Sequence, residues 1–293
     1  MSVDEVLIIG AGPAGVATAM QLKRYGIEPH LVERSSIGGL LRNANLVENY
    51  PGFPGGIPGP ALVRLLEQHV RDYSLRITHG EVTRLDFSGG VFHAETSAGE
   101  ISAHIVVIAS GTKPKPFVFP DLPAAAWDLI FFEVYPLSNL AGNRIVILGA
   151  GDAAFDYALN LGRKNQVLIL NRGTELKCLP LLWERAREEP AIEYFEGVSI
   201  DRIEVEPLSR LKLEYSQAGF NRSICCEALV VAYGREPHLD FIASRLQAMA
   251  GKLEEKGLLH FIGDVKNGIF RQTSIAIGDG ILAAMKIYQK EKR

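Results

Sequence analysis

GAGPAGVATAMQLKRYGIEPHLVER, residues 10–34, follows the apolar run Val6-Leu7-Ile8-Ile9. Its order is strand, glycine turn, helix with apolar spacing at Val16, Ala19 and Met20, and a second apolar strand ending at Glu33, which is one βαβ unit. Gly10, Gly12 and Gly15 suit a dinucleotide turn. The first makes the tight turn, the second lets the backbone approach a pyrophosphate, and the third permits close packing of helix on strand. A helix opening at Pro13-Ala14 points its N–H groups and positive dipole end at the phosphates. Glu33 is placed to accept hydrogen bonds from ribose hydroxyls. Its charge repels a 2′-phosphate, so this first site suits FAD or NAD.

The unit occurs twice. Residues 149–172 read GAGDAAFDYALNLGRKNQVLILNR after a second apolar run, Ile145-Val146-Ile147-Leu148. Gly149, Gly151 and Ala154 keep the turn, with Asp152 and Ala153 opening the helix; Ala is an accepted residue at the third position. Where the first copy has Glu33-Arg34, the second has Asn171-Arg172. The carboxylate that repels a 2′-phosphate is gone, and Arg172, with Lys177 close behind, can pair with one. The second site therefore leans towards NADPH over NADH.

A further landmark repeats behind each turn. Val106–Pro114 (VVIASGTKP) resembles Leu229–Pro237 (LVVAYGREP), an apolar strand followed by Gly111 or Gly234 and a proline three residues on. Duplication of a whole domain accounts for both repeats. The expected fold is α/β: two Rossmann-like dinucleotide-binding domains in a three-layer ββα sandwich. The first would be discontinuous, residues 1–113 plus 240–293, and the second would span 116–238, with crossovers in the Pro- and Gly-rich stretches 113–123 and 234–239. Thr273 to Tyr288 has helical periodicity, with Thr273 or Ser274 as the expected N-cap.

Bulk properties limit the alternatives. The 293 residues are 47% hydrophobic and 22% charged, with a net charge of −3, which suits a globular protein that binds neither nucleic acid nor an anionic membrane. No apolar run reaches the roughly 20 residues of a membrane helix. Asp4 and Glu5 ahead of the first strand do not read as a secretion leader, and the three cysteines, Cys178, Cys225 and Cys226, fit a reducing, cytoplasmic setting. The seven histidines show no metal-binding pairing and read as surface or turn residues. The sequence shows neither a metal-binding pattern nor a catalytic triad, and neither is expected.

Taken together, these pieces resemble the thioredoxin reductase branch of the two-dinucleotide-domain flavoproteins. The resemblance rests on the turns at Gly10–Gly15 and Gly149–Ala154, Gly38-Gly39-Leu40, the run ENYPGFP at residues 48–54, Ser110-Gly111, Gly263-Asp264-Val265 with Arg271-Gln272, and Gly278-Asp279-Gly280. It runs nearly end to end. It implies FAD held by the N- and C-terminal segments, with Glu33, Arg34, Gly39, Leu40, Asn49, Val82, Ser110, Gly111, Gly263, Asp264, Arg271, Gln272 and Thr273 around it. It also implies NAD(P)H in the middle domain, with Gly234 at its turn, and a homodimer.

One departure bears on chemistry. Thioredoxin reductases carry a Cys-x-x-Cys shortly before the second glycine motif; here those positions hold Phe132 and Tyr135. No pair among the three cysteines has that spacing. Vicinal cysteines in a strand face opposite sides of the sheet, so Cys225 and Cys226 read as packing residues. Gly151–Leu161 also resembles the related ferredoxin–NADP reductases, which lack the dithiol; those extend past the last helix to cover the flavin, whereas this sequence ends at Arg293.

The expected activity is transfer of hydride from NAD(P)H to FAD and of electrons on to an external acceptor of the ferredoxin or flavodoxin type. Two alternatives stand beside it: a disulfide reductase using unusual thiols, and a flavin-binding redox sensor with a silent nicotinamide site. Phe132 or Tyr135 is a candidate to stack on the flavin, or both are core aromatics.

Overall fold

The computed structural model describes residues 3–292, with the side chain of Glu291 outside the description. The chain forms two compact units. One comprises residues up to Arg42, Val47–Lys113 and Glu236 onward; the other comprises Asn43–Leu46 and Pro114–Arg235. The return to the first unit thus comes at residue 236 rather than 240, and a four-residue piece of the N-terminal half goes with the second unit.

The first unit opens with β1 (Val3–Ile9), α1 (Pro13–Arg24) and β2 (Pro29–Glu33), followed by α2 (Gly59–Asp72), β3 (Arg76–His79), β4 (Val82–Ser88), β5 (Val91–Thr96), β6 (Gly99–Ile108) and β7 (Thr112–Pro114). β3, β2, β1 and β6 lie side by side in parallel, and β5 and β4 continue the sheet antiparallel beyond β6. Val6, Leu7 and Ile8 are fully buried, the continuous apolar run of a strand covered on both faces. His30, on β2, is also buried, its Nδ1 2.6 Å from Asp4 and its Nε2 2.8 Å from Thr78. The expectation that every histidine is a surface or turn residue fails there, because a paired imidazole can be enclosed once both nitrogens have partners.

The second unit repeats the plan. It contains β8 (Ile130–Phe131), β9 (Arg144–Leu148), α3 (Asp152–Leu161), β10 (Gln166–Leu170), α4 (Pro180–Glu188), β11 (Ile192–Phe195), then β12 (Val198–Glu206), β13 (Arg210–Gln217), β14 (Phe220–Cys226) and β15 (Ala228–Val231). β11-β10-β9-β15-β8 is a parallel sheet, and β12-β13-β14 an antiparallel meander. In both units the strand before the glycine turn lies between the second strand of its βαβ unit and a strand from much later in sequence: β1 between β2 and β6, β9 between β10 and β15. Strand order reverses at that point, which opens a crevice for a ligand at the carboxyl ends of the strands.

After β16 (Arg235–Pro237) the chain adds α5 (Ser244–Glu255), β17 (Leu259–Phe261) and α6 (Thr273–Glu291) to the first unit. β17 pairs with Val106–Ile108 of β6, while Gly99–Ala103 of the same strand pairs with β5. The cap of α6 is Gln272, without a side-chain cap bond. Thr273 is already helical, and the Ser274 hydroxyl is turned to the carbonyl of Asn49 at 3.3 Å. No helix among the described residues is long and apolar enough to cross a membrane.

Candidate dinucleotide sites

In the first unit, a Cβ on Gly10, whose φ is +105°, would collide with the carbonyl of Ala109, and one on Gly15 with the carbonyl of Gly10. These two glycines are required by the fold itself. Gly12 is different: its φ of −71° is open to any residue, and a Cβ there would meet nothing within 4 Å. That empty space lies at the N-terminus of α1, which carries no side-chain cap, so N–H groups and dipole face it as an anion cradle does. The cradle fits a pyrophosphate. Gly39, with Leu40 in the short turn after β2, passes over it, the position of its Cβ lying 3.7 Å from the Gly12 Cα.

The rest of the first site assembles around this turn. Glu33 is 7% exposed; its Oε2 accepts the Ala11 N–H at 2.7 Å, and its Oε1 accepts the N–H and hydroxyl of Ser35 at 2.9 and 3.2 Å. A carboxylate has about four lone-pair sites, so Glu33 both locks the turn and retains capacity for a ribose hydroxyl. The Gly80 N–H donates to the Glu33 carbonyl at 2.9 Å, which sets buried Val82, at the start of β4, near it. Arg34 turns away to an exposed ion pair with Glu81 at 3.6 Å.

Ser110 adjoins Gly10, and its hydroxyl donates to the His238 carbonyl at 2.6 Å, while the Gly111 carbonyl accepts the His238 N–H at 3.1 Å. Asn49 donates to Gln272 at 2.9 Å, beside Thr273. Gly263 packs on Ala14, its N–H held by Asp279 at 3.0 Å, and a Cβ on Gly280 would strike the Ala14 carbonyl. The Gly278-Asp279-Gly280 motif is therefore where α6 crosses α1. Asp264 and Arg271 flank this contact, both partly buried.

The second unit has a matching cradle. A Cβ on Gly149 (φ +132°) would come within 2.6 Å of the Ala232 carbonyl, whereas one on Gly151 would meet nothing within 4 Å. Ala154 is fully buried where the third glycine stood, and Ala153 faces solvent. Asp152 accepts the Leu179 N–H at 2.7 Å. Asn171, at the position that Glu33 holds in the first copy, is engaged in its own turn. Its amide donates to the Glu175 carbonyl at 3.1 Å and the Tyr194 hydroxyl at 2.9 Å, and its oxygen accepts the Gly173 N–H at 3.1 Å. Lys177 is exposed, with its Nζ 3.7 Å from Glu175. Arg172 is exposed and close enough to Tyr233 to oppose the upward push that burial gives the Tyr233 hydroxyl. Gly234, at φ +118°, accepts the Lys115 N–H at 3.1 Å. Tyr233 is a site residue that the glycine motifs do not mark; its signal is the match of Ala109-Ser110-Gly111 to Ala232-Tyr233-Gly234, which puts an aromatic in the turn beside the second cradle.

A family model for pyridine nucleotide-disulphide oxidoreductases matches residues 4–280. The chain belongs to this family. Thioredoxin reductase from Streptomyces clavuligerus is 27% identical, the match covering 97% of this chain and 92% of that protein, and thioredoxin reductase from Rickettsia prowazekii is 26% identical over 97% and 96%. The crystal structure of Lactococcus lactis thioredoxin reductase superposes with a TM-score of 0.83 at 25% identity, covering 98% of each chain. The fold is thioredoxin reductase-like.

For a pyridine nucleotide-disulphide oxidoreductase the thiols matter, and here they are dispersed. Cys226 is fully buried at the end of β14, its thiol pushed up to about 12 by burial. Cys178 is pushed up as well, first by burial and then by Asp152. Cys225 pairs in register with Lys212. Phe132 packs against the core of the second unit, while the Tyr135 ring is 44% exposed, so the two positions diverge. The N–H groups of Val134 and Tyr135 both donate to Asn43 Oδ1, at 3.1 and 2.9 Å. Next to Phe132 in sequence, Glu133 lies 3.5 Å from Arg235. No cluster of metal-ligating side chains occurs among the described residues.

Proposed function

We propose that this oxidoreductase holds FAD in its first unit and NAD(P)H in its second, and passes electrons to an external acceptor without a dithiol of its own. The observation that carries the reading is the pair of open cradles at Gly12 and Gly151, one followed by a buried carboxylate at Glu33, the other by exposed Arg172. FAD, held at the Gly12 cradle with Glu33 on its ribose, would supply the hydride and electron-transfer chemistry. The chain's part is to bind and orient. The uncapped ends of α1 and α3 hold pyrophosphates, Glu33 accepts from a ribose, and the start of α6, with Asn49, Gln272 and Thr273, supplies N–H groups and positive dipole potential where charge accumulates on the reduced ring. Arg172 favours NADPH over NADH, because a guanidinium pairs with a 2′-phosphate.

The cysteines bear on the choice of acceptor. The chain has no Cys-x-x-Cys, and the Cys178 and Cys226 thiols are held protonated by burial, which disfavours an internal thiol relay. A small electron carrier of the ferredoxin or flavodoxin type is the proposed partner. The names of the relatives favour a second reading, in which thioredoxin or another disulfide is the acceptor. A homodimer is part of the proposal, supported by Ile275, Leu282 and Met285 exposed along α6, and a cytoplasmic setting is supported by the three unpaired cysteines.

Anaerobic titration of the purified protein with NADPH, and separately NADH, followed by flavin absorbance, tests the reading. Bleaching by NADPH at lower concentration than by NADH supports it. A flavin that neither nucleotide bleaches overturns it in favour of a sensor with a silent nicotinamide site.

A further inference from the structure

At the amino ends of β9, β10 and β15, a cavity of about 590 Å3 opens in the second unit. Its wall carries four cationic side chains, Arg144, Arg163, Lys164 and Arg210, against one carboxylate, Glu227, with Cys225 beside them. The whole chain has a net charge of −3, so this local excess runs against the overall balance. The Glu227 carboxylate is engaged by the Arg144 N–H at 2.7 Å. One Nη of Arg163 donates to Asn45 at 2.6 Å. The Nε of Arg210 is buried without an acceptor among the described residues, an uncompensated desolvation cost at the cavity wall.

The cavity is not the nucleotide cradle. Arg144 begins β9, and Gly149 follows its other end, which at about 3.3 Å per residue separates the two by roughly 16 Å. Arg163 and Lys164 lie just past the C-terminus of α3, where cations also complement the helix dipole. That explanation does not cover Arg144 or Arg210, which come from strands in two different sheets and converge on the same space.

We propose that this cavity is a second ligand site, which binds a small molecule carrying two or more phosphate or carboxylate groups. Its volume falls in the range of roughly 300–1,000 Å3 typical of small-molecule pockets. Guanidinium groups set apart around a hollow suit an oligo-anion better than a single inorganic ion, because each fork takes its own oxyanion.

Isothermal titration of the full holoprotein with pyrophosphate, and in a second arm with citrate, tests the site. The expected result is saturable sub-millimolar binding of at least one of them, weakened tenfold or more in Arg144→Gln/Arg210→Gln with an unchanged thermal melt. The arm that binds assigns phosphate or carboxylate. Pyrophosphate also suits the cradle at Gly151, so alkylation is mapped by mass spectrometry in parallel. Slower modification of Cys225 in the presence of the bound anion supports the cavity. Protection confined to Cys178, equal binding by the variant, or no binding of either anion at millimolar concentration overturns it.

Discussion

Asp156 on α3 accepts the N–H of Asn45 at 2.9 Å, and burial raises its carboxyl to about 6 although the Asn45 and Leu46 N–H groups and Arg163 pull the other way. Its unfolded value is near 3.8, so between these values the fold binds more protons than the unfolded chain. Stability therefore falls as pH rises from about 4 through about 6 and levels above that, by at most about 3 kcal/mol. Asp156→Asn keeps one acceptor and cannot ionise. The unfolding free energy of wild type minus that of the variant should fall from pH 4 to pH 7 by this amount, leaving the variant the more stable near neutrality, read by denaturant melts. A difference constant with pH would refute the raised carboxyl.

Gly10 and Gly12 separate the fold from the ligand. Gly10→Ala adds a Cβ at φ +105° against the Ala109 carbonyl and should cost at least about 3 kcal/mol of stability. Gly12→Val sits at an ordinary φ and adds atoms only to the open cradle. It should leave the apoprotein's thermal midpoint within about 2 °C, as for a strain-free surface change, while weakening FAD binding tenfold or more. Flavin retained at full occupancy in Gly12→Val would remove the first cradle as the pyrophosphate site.

Residues near in sequence were easier to read than residues brought together by folding. β1, its turn and α1 were legible because a strand buried on both faces is apolar without interruption, and the helical period follows at once. Gly278-Asp279-Gly280 was legible only as a motif. Its reason, the crossing of α6 on Ala14, joins positions far apart in sequence. Asn171 follows β10 as Glu33 ends β2, but its bonds to Gly173 and Glu175 are legible only in the structure, because Asn readily bonds to backbone a few residues on. Nothing near Asp156 in sequence marks it, because the N–H groups of Asn45 and Leu46 that bond to it lie more than a hundred residues away.

Arg172 and Lys177 differ in what surrounds them. Lys177 is already shared with Glu175, whereas Arg172 is exposed beside Tyr233. Arg172→Gln should raise the KM for NADPH about 10- to 100-fold with little change for NADH, the 1.5–3 kcal/mol of a charge-assisted contact. Lys177→Gln should change either KM less than about threefold. Steady-state kinetics with both nucleotides decides, and equal losses for NADPH and NADH in Arg172→Gln would mean that the arginine does not read the 2′-phosphate.

The cysteines provide the most direct test of electron flow. Removing the Cys226 side chain leaves a small void beside Leu211 and Val146, at a cost of about 1–2 kcal/mol, and Cys178→Ser and Cys225→Ser touch partly exposed positions. If electrons leave the bound flavin directly for an external acceptor, the combined Cys178→Ser/Cys225→Ser/Cys226→Ala protein should keep turnover with NADPH and an artificial one-electron acceptor, and with the physiological carrier, within about twofold of wild type, while melting a few degrees lower. A protein whose flavin is still bleached by NADPH but which no longer reduces its carrier or a disulfide would place a thiol on the path. The most accessible candidates would then be Cys178 and Cys225, since Cys226 is enclosed and its thiol held protonated, and the single variants would tell which of the two carries the electrons.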